Sequence, residues 1–191
     1  MLESSRSKAG NGLLFISKNR NSPTMPLAND LLRQAEHLAN LDTSRSNQAN
    51  LRRAVSAAYY SLFHLLIADC TGRLSPKRPA KLAPRIARAF AHSEMKQVCR
   101  AISEGHRSAV LEDLQPAGFS PGLRLVASTF VRLQDERHRA DYDVSATFTR
   151  LETLDILVLA KDGFTNWTKT RRTEEANVFL AALLFSGRWA K

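Results

Sequence analysis

The amino-acid sequence predicts an all-α fold. Apolar residues recur at three- and four-residue spacing in one segment after another, and no segment has the alternating, β-branched texture of a strand. One stretch, Asn47 to Cys70 (NQANLRRAVSAAYYSLFHLLIADC), is apolar or aromatic on nearly every side. At about 100° per residue, Leu51, Val55, Ala58, Leu62 and Leu65 share one stripe, and Tyr60, Phe63, His64 and Ile67 fall opposite, with Arg53. Only Arg52 and a few small residues are left to face water. A helix without a polar half needs neighbours all round, so this is the expected central helix.

The other elements follow in order. Leu27 to Leu41 has Leu27, Leu31, Leu38 and Leu41 at helical spacing, with Ala28 and Ala35 filling in, and Asp42 to Ser46 is a polar break. The central helix is expected to end near Thr71-Gly72, because glycine commonly follows a helix end. Ser75 to Pro79 then reads as a loop with added positive charge. Lys81 to Phe90 and Ser93 to Ile102 are two shorter helical pieces, with Pro84 in the first turn of the former. Glu104 to Pro121 is an irregular connection in which Ser108 to Leu114 forms a helical turn or two. A strong helix runs from Pro121 to about Asp141. Ser145 is the expected cap of the next helix, Ala146 to about Trp167, with Phe148, Leu151, Leu154, Leu157 and Val158 inward and Gly163 as a place for it to bend or end. The last helix, Thr173 to Ser186, has Thr173 as cap, Gly187 at its end, and Val178, Phe179, Ala182, Leu183 and Phe185 covering the bundle.

Bulk composition bounds the function classes. A chain of 191 residues, 43% hydrophobic, builds one core, expected over residues 27–191. Residues 1–26, rich in Ser, Asn and basic residues, are expected to form a disordered basic arm, and Met25 offers a second candidate start of the protein. No apolar run approaches the roughly 18 residues that span a bilayer, so no membrane association is expected. Cys70 and Cys99 lie far apart without CxxC spacing, which suits two buried thiols in a reducing cytoplasm and neither a disulfide framework nor a zinc site. The formal net charge is +10, of which residues 1–26 carry +3 (Arg6, Lys8, Lys18 and Arg20 against Glu3) and the remainder +7. Such a balance favours an anionic partner. There is no GxxxxGK[ST] or GxGxxG loop, no HExxH and no GxSxG. His37, His92 and His106 have no partners at metal-ligand spacing and read as surface or boundary residues, so neither a metal nor a cofactor is expected.

One irregularity marks a candidate site. In the helix from Pro121, Leu123, Val126, Phe130 and Leu133 recur at i, i+3, i+7 and i+10, and the next position on that stripe is Arg137. Such an arginine either leaves the core to reach water or pair with Asp141 one turn on, or it is held at a seam to bind phosphate, which its fork of donors suits. His138 beside it is a candidate acid or base, or a solvated residue at a helix end. Arg132 with His138 also fits a loose Arg–His spacing, but the two diverge by roughly 120° on a continuous helix. His64 shares a face with Tyr60 and Arg53. That face is either a small-anion patch or the setting of a hydrogen-bonded core histidine.

AVSAAYYSLFHLL, Ala54 to Leu66, resembles the second-helix signature of the HEPN superfamily (higher eukaryotes and prokaryotes nucleotide-binding domain), and ERHRADYD, Glu136 to Asp143, resembles its later-helix motif. The two stand in the family's order about 75 residues apart, and the resemblance covers Leu27 to roughly Trp167. It implies an up-and-down bundle of four to five main helices, with the last helix an extra C-terminal element, and often a homodimer whose motif arginines face each other across a cleft. Many members are metal-independent ribonucleases that act as toxins beside a nucleotidyltransferase antitoxin, and others are non-catalytic modules that bind nucleotide, RNA or a protein. Catalytic members carry Arg, a polar residue, three further residues, then His. Here Arg137 and His138 match the first two, and Tyr142 stands in the place of the catalytic His. Tyrosine, with a pKa of about 10 against about 6.5 for histidine, is a poor proton acceptor at neutral pH.

The expected function is therefore a HEPN-like module in a toxin–antitoxin or defence system that binds RNA, nucleotide or a cognate protein without catalysis. Arg137, His138, Asp141 and Tyr142 are its binding residues, with Arg53, Tyr60 and His64 as secondary candidates. The alternatives are a metal-independent endoribonuclease using Arg137 and His138, and a protein-interaction scaffold.

Overall fold

A computed structural model describes residues 26–41, 47–76, 81–106 and 108–189. The expected disordered arm, apart from Pro26, the polar break at 42–46 and most of the loop at 75–79 lie outside the described residues. Within them every regular element is a helix: α1 (Pro26–Asn40), α2 (Gln48–Leu74), α3 (Leu82–Arg88), α4 (His92–Glu104), α5 (Ala109–Leu114), α6 (Pro121–Tyr142), α7 (Arg150–Thr170) and α8 (Glu174–Trp189). None is long and apolar enough to cross a membrane.

The central element is α2, about 40 Å long at 1.5 Å per residue. Asn47 opens it, its side chain accepting the Ala49 N–H. Its predicted stripe, Leu51, Val55, Ala58, Leu62 and Leu65, is buried, and Tyr59, Phe63, Leu66 and Ile67 are buried on other sides. Helices α1, α6 and α7 pack directly around it, α4 lies against α6, and α8 against α4 and α5.

Helix α2 does not stop at Gly72. Its conformation there stays helical, and Arg73, one residue on, donates to the Asn177 side chain and the Arg171 carbonyl, tying an extra turn to the α7–α8 junction. Beside it the buried Asp69 accepts bonds from Trp167 Nε1 (2.9 Å) and from Arg171 Nε (2.9 Å) and Nη2. A carboxylate this deep needs such paired, hydrogen-bonded partners.

Two neighbours of α2 differ from the sequence reading. The buried face of α1 consists of Ala28, Ala35 and Ala39, while Leu27 and Leu41 are half exposed, because small residues let two helix backbones approach closely. Ser145 does not cap α7. Thr149 does, in a reciprocal capping box with Glu152, and Ser145 instead donates its N–H and hydroxyl to Asp143. Residues 143–149 stay non-helical because α2 holds them: Gln48 donates to the Phe148 carbonyl and accepts its N–H, and Arg52 donates to three carbonyls of the segment. Phe148 reaches the core from that segment, so it does not set the phase of α7. The buried stripe is Thr153, Ile156, Leu157, Ala160, Gly163 and Trp167, and Leu151 and Val158 face outward, 71% and 55% exposed.

Gly163 neither bends nor ends α7. A Cβ there would lie 2.9 Å from Thr129 Cγ2 and 3.2 Å from Leu62 Cδ2, so its bareness lets α7 sit against α2 and α6. At the far end Thr173 caps α8, its hydroxyl accepting the Ala176 N–H, and Phe179, Ala182 and Leu183 are buried, with Val178 and Phe185 half-buried. Gly187 lies inside α8 rather than after it, where a Cβ would strike the Glu94 carboxylate. Cys70 and Cys99 are both buried and free, and burial raises the Cys70 thiol to about 11.

The two helical glycines near the core should respond oppositely to alanine. Gly72→Ala meets nothing within 4 Å and should stabilise by roughly 0.5–1 kcal/mol through helix propensity. At Gly163→Ala, overpacking of about 1–3 kcal/mol should outweigh that gain and leave a net loss. Urea denaturation of both variants checks the contrast, and a stabilised Gly163→Ala would contradict the packing described.

Candidate functional site

The last two turns of α6 carry the residues that the sequence singled out. Leu123, Val126, Phe130 and Leu133 are completely buried, and Arg137 follows them on the same stripe with its side chain only 19% exposed. A cation in that position must be compensated by neighbours. Its Nη2 donates to the Tyr60 hydroxyl at 2.7 Å. Its Nε lies 2.7 Å from Asp141 Oδ2, an ion contact in which the N–H does not point along the line to the oxygen. The guanidinium carbon sits 5.4 Å from the Tyr60 ring centre and 5.2 Å from that of Tyr142, within cation–π range of both. Burial alone would lower the Arg137 pKa, but Tyr60, Asp141 and Tyr142 more than offset it, and the net shift is upward. The group is permanently charged.

Asp141 is itself held in place. Its other oxygen accepts the hydroxyl of the buried Ser56 on α2, so the carboxylate bridges α2 and the guanidinium. Arg139, on the opposite side of α6, pairs with Glu136 and Glu152 and lies over the Phe148 ring at 4.2 Å, which makes it part of the α6–α7 packing.

Arg52 and Arg53 complete a basic surround. Arg52 is not left to face water as the helical projection suggested. It reaches from α2 to the end of α6, donating to the carbonyls of Ala140 (3.0 Å), Asp143 (2.9 Å) and Ala146. These carbonyls sit where a helix ends with unmet acceptors, so the arginine takes the place of a cap. Arg53, one residue on, is exposed and forms no ion pair or side-chain hydrogen bond among the described residues.

Together these residues line an open cleft of about 950 Å³ between three helices. Leu31, Gln34 and Leu38 of α1 form a mainly apolar wall. Arg52, Arg53, Ser56 and Tyr60 of α2 form the floor, and Arg137, Asp141 and Tyr142 of α6 form the facing wall. Three arginines face one carboxylate. Tyr142 is 61% exposed at the rim, so its ring is free to meet a ligand. No family model, curated protein or solved structure matches the chain. The chemistry of the site is therefore read from its own residues.

The sequence-selected residues divide between the cleft and its surroundings. Arg137, Asp141 and Tyr142 line the cleft, and so do Arg53 and Tyr60. His138 is exposed and outside the lining, its ring centre 4.9 Å from that of Tyr142. His64 also lies outside, half-buried one turn beyond Tyr60 and against Phe63. Arg132 is exposed on a continuous α6. The sequence reading missed Arg52, Ser56 and Gln34. The first two stand eight and four residues before Tyr60, so following that tyrosine's own helical face would have found them.

Behind Tyr60 is a second group of polar rings. His92, the first residue of α4, stacks on Phe63 (4.2 Å between centres) and shares a 2.6 Å hydrogen bond with the Tyr59 hydroxyl. Gln134 of α6 donates to its backbone carbonyl. Burial lowers the pKa of His92, as do the charges of Arg137 and His64, and burial also lowers that of His64. Among the described residues no cluster of three or more His, Cys, Asp or Glu could hold a metal ion.

The two histidines set an expected pH dependence. Their folded-state pKa values lie below the ordinary 6.5, so the unfolded chain takes up protons first as pH falls. Stability should be level above about pH 6.5 and decline as pH falls from there toward pH 5. The decline should be shallower in His92→Gln. Thermal melting across that range checks this, and a midpoint that rises on acidification would contradict it.

Proposed function

We propose that the α1–α2–α6 cleft binds RNA or a nucleotide, as a HEPN-like module, without cleaving it. The observation that carries the reading is Arg137, fixed between the Tyr60 and Tyr142 rings in a cleft that Arg52 and Arg53 also reach. Guanidinium groups recognise phosphate through charge-assisted hydrogen bonds, and exposed tyrosine faces stack on bases for roughly 1–3 kcal/mol each. Arg53 and the Nη1 of Arg137 are the donors left for a phosphate, and the Tyr142 ring is the platform left for a base.

The position of the proton acceptors supports binding without cleavage. Cutting RNA requires a group that takes the 2′-hydroxyl proton near neutral pH beside the phosphate-holding arginine. Tyr142 stands there, and the adjacent histidine, His138, is turned out of the cleft lining. The resemblance of both motifs to HEPN proteins supports the same ligand class. It also brings a cytoplasmic setting, a homodimer and a nucleotidyltransferase-type antitoxin partner into the proposal.

Binding should be measured on purified full chain with fluorescent single-stranded RNA, alongside a metal-free cleavage assay. Arg137→Ala should weaken binding by roughly tenfold or more, the loss of one charged hydrogen-bonded contact. His138→Ala should leave it within about twofold, since its ring is outside the cleft. RNA should remain intact. Affinity unchanged in Arg137→Ala would overturn the site. Metal-free cleavage abolished by Arg137→Ala would instead establish the ribonuclease reading, and capture of an acidic protein with no RNA affinity would establish a scaffold.

A further inference from the structure

The strongest concentration of charge lies outside the cleft. Between Asp69 and Glu94 the sequence has no acidic residue, while Arg73, Lys77, Arg78, Lys81, Arg85 and Arg88 supply six positive charges of a net +10 for the whole chain. Arg73 is consumed by the junction of α2, α7 and α8. Lys77 and Arg78 fall outside the described residues. The other three belong to α3. Lys81 has helical backbone angles just before Leu82, so Lys81, Arg85 and Arg88 stand at i, i+4 and i+7 on one face of about two continuous helical turns. All three are exposed, and none forms an ion pair among the described residues.

The opposite face of α3 is already used. Ile86 and Ala87 pack against the core, and Phe90, just after the helix, is buried. That anchoring fixes which way the cations point. Of the large apolar residues of α3 only Leu82 stays exposed, which is too little for the apolar face that an interfacial helix inserts into a lipid surface. A row of unpaired cations about one turn apart on a fixed helix suits a chain of regularly spaced phosphates.

The position of α3 relates it to the cleft. Arg88 and His92 are four positions apart in the chain, which caps the distance between their backbones at about 14 Å. The His92 ring centre lies 6.1 Å from that of Tyr60, whose hydroxyl holds Arg137. We propose that Lys81, Arg85 and Arg88 form a second contact surface for the sugar–phosphate backbone of single-stranded RNA, continuing a strand whose end occupies the cleft. This deepens the function proposed above, on which it rests, by making the ligand an RNA strand rather than a free nucleotide.

The test compares two probes on the full chain, a polyuridylate of about 20 nucleotides and uridine monophosphate, as salt is varied. The combined variant Lys81→Ala, Arg85→Ala, Arg88→Ala should bind the strand roughly tenfold or more weakly, and its salt slope should fall by about 2, near 0.7 per lost phosphate contact. Its affinity for uridine monophosphate should not change. The charge-keeping pair Arg85→Lys, Arg88→Lys should retain the wild-type slope. A folded triple variant with wild-type strand affinity and slope would overturn the proposal. So would polyglutamate displacing the strand from wild type as readily as equally charged RNA does, which would assign the surface to an acidic protein. If uridine monophosphate does not bind while the strand's slope still depends on α3, the cleft reading fails and the α3 surface stands.

Discussion

Burial of α2 on nearly every side is the constraint from which the remaining structure follows. A helix with Leu51, Val55, Ala58 and Leu62 on one face and Phe63 and Ile67 on another cannot rest on a surface, so α1, α6 and α7 must enclose it. Enclosure brings polar groups inside as well. Asp69 and Ser56 are both buried on α2, and each is met by a partner from another helix: Trp167 and Arg171 for the first, Asp141 for the second. The polar residues of α2 therefore act as its registration marks, setting where α6 ends and where α7 meets α8.

The candidate site is a product of the same enclosure. Where α6 passes the N-terminal half of α2, its core stripe meets Tyr60 and Ser56 instead of leucine, and Arg137 takes the next place on the stripe. The structural parts of both sequence readings of Arg137 are present together, and phosphate binding there belongs to the proposed function. Arg137 pairs with Asp141 one turn on, and it is held in a cleft between aromatic rings. Pairing on one edge and a hydroxyl on another fix the guanidinium in place, and fixed donors lose less freedom when a ligand arrives. Arg52 contributes from behind by gripping the carbonyls at the end of α6.

What the sequence disclosed, and what it hid, divide along a physical line. Helix positions were legible wherever one face was uninterrupted, as in α2, α6 and α8, because burial imposes the 3.6-residue period directly. Ends and phases were not legible where long-range contacts decide them. Gly72 and Gly187 looked like stops but lie within helices, one held by Arg73 and the other fitted under Glu94. Ser145 looked like a cap, but Gln48 and Arg52, about 100 residues earlier in the chain, keep its segment out of helix. For the cleft, Arg137 showed itself as a charge on an apolar stripe, and Tyr60 and Arg53 as polar positions on a buried helix. The α1 wall gave no such signal, since Leu31, Gln34 and Leu38 read as ordinary positions of an amphipathic helix.

On the proposed function, an anionic ligand with an aromatic ring enters between α1, α2 and α6. The most direct test is a nuclear magnetic resonance titration of the isotope-labelled chain with a mononucleotide, following the arginine side-chain N–H and tyrosine ring signals. Shifts are expected at Arg53, Arg137, Tyr60 and Tyr142 that saturate together, with His138 and α8 little changed. Saturable shifts confined to another surface, or no shifts at these four residues at ligand concentrations that saturate binding, would contradict the proposed function.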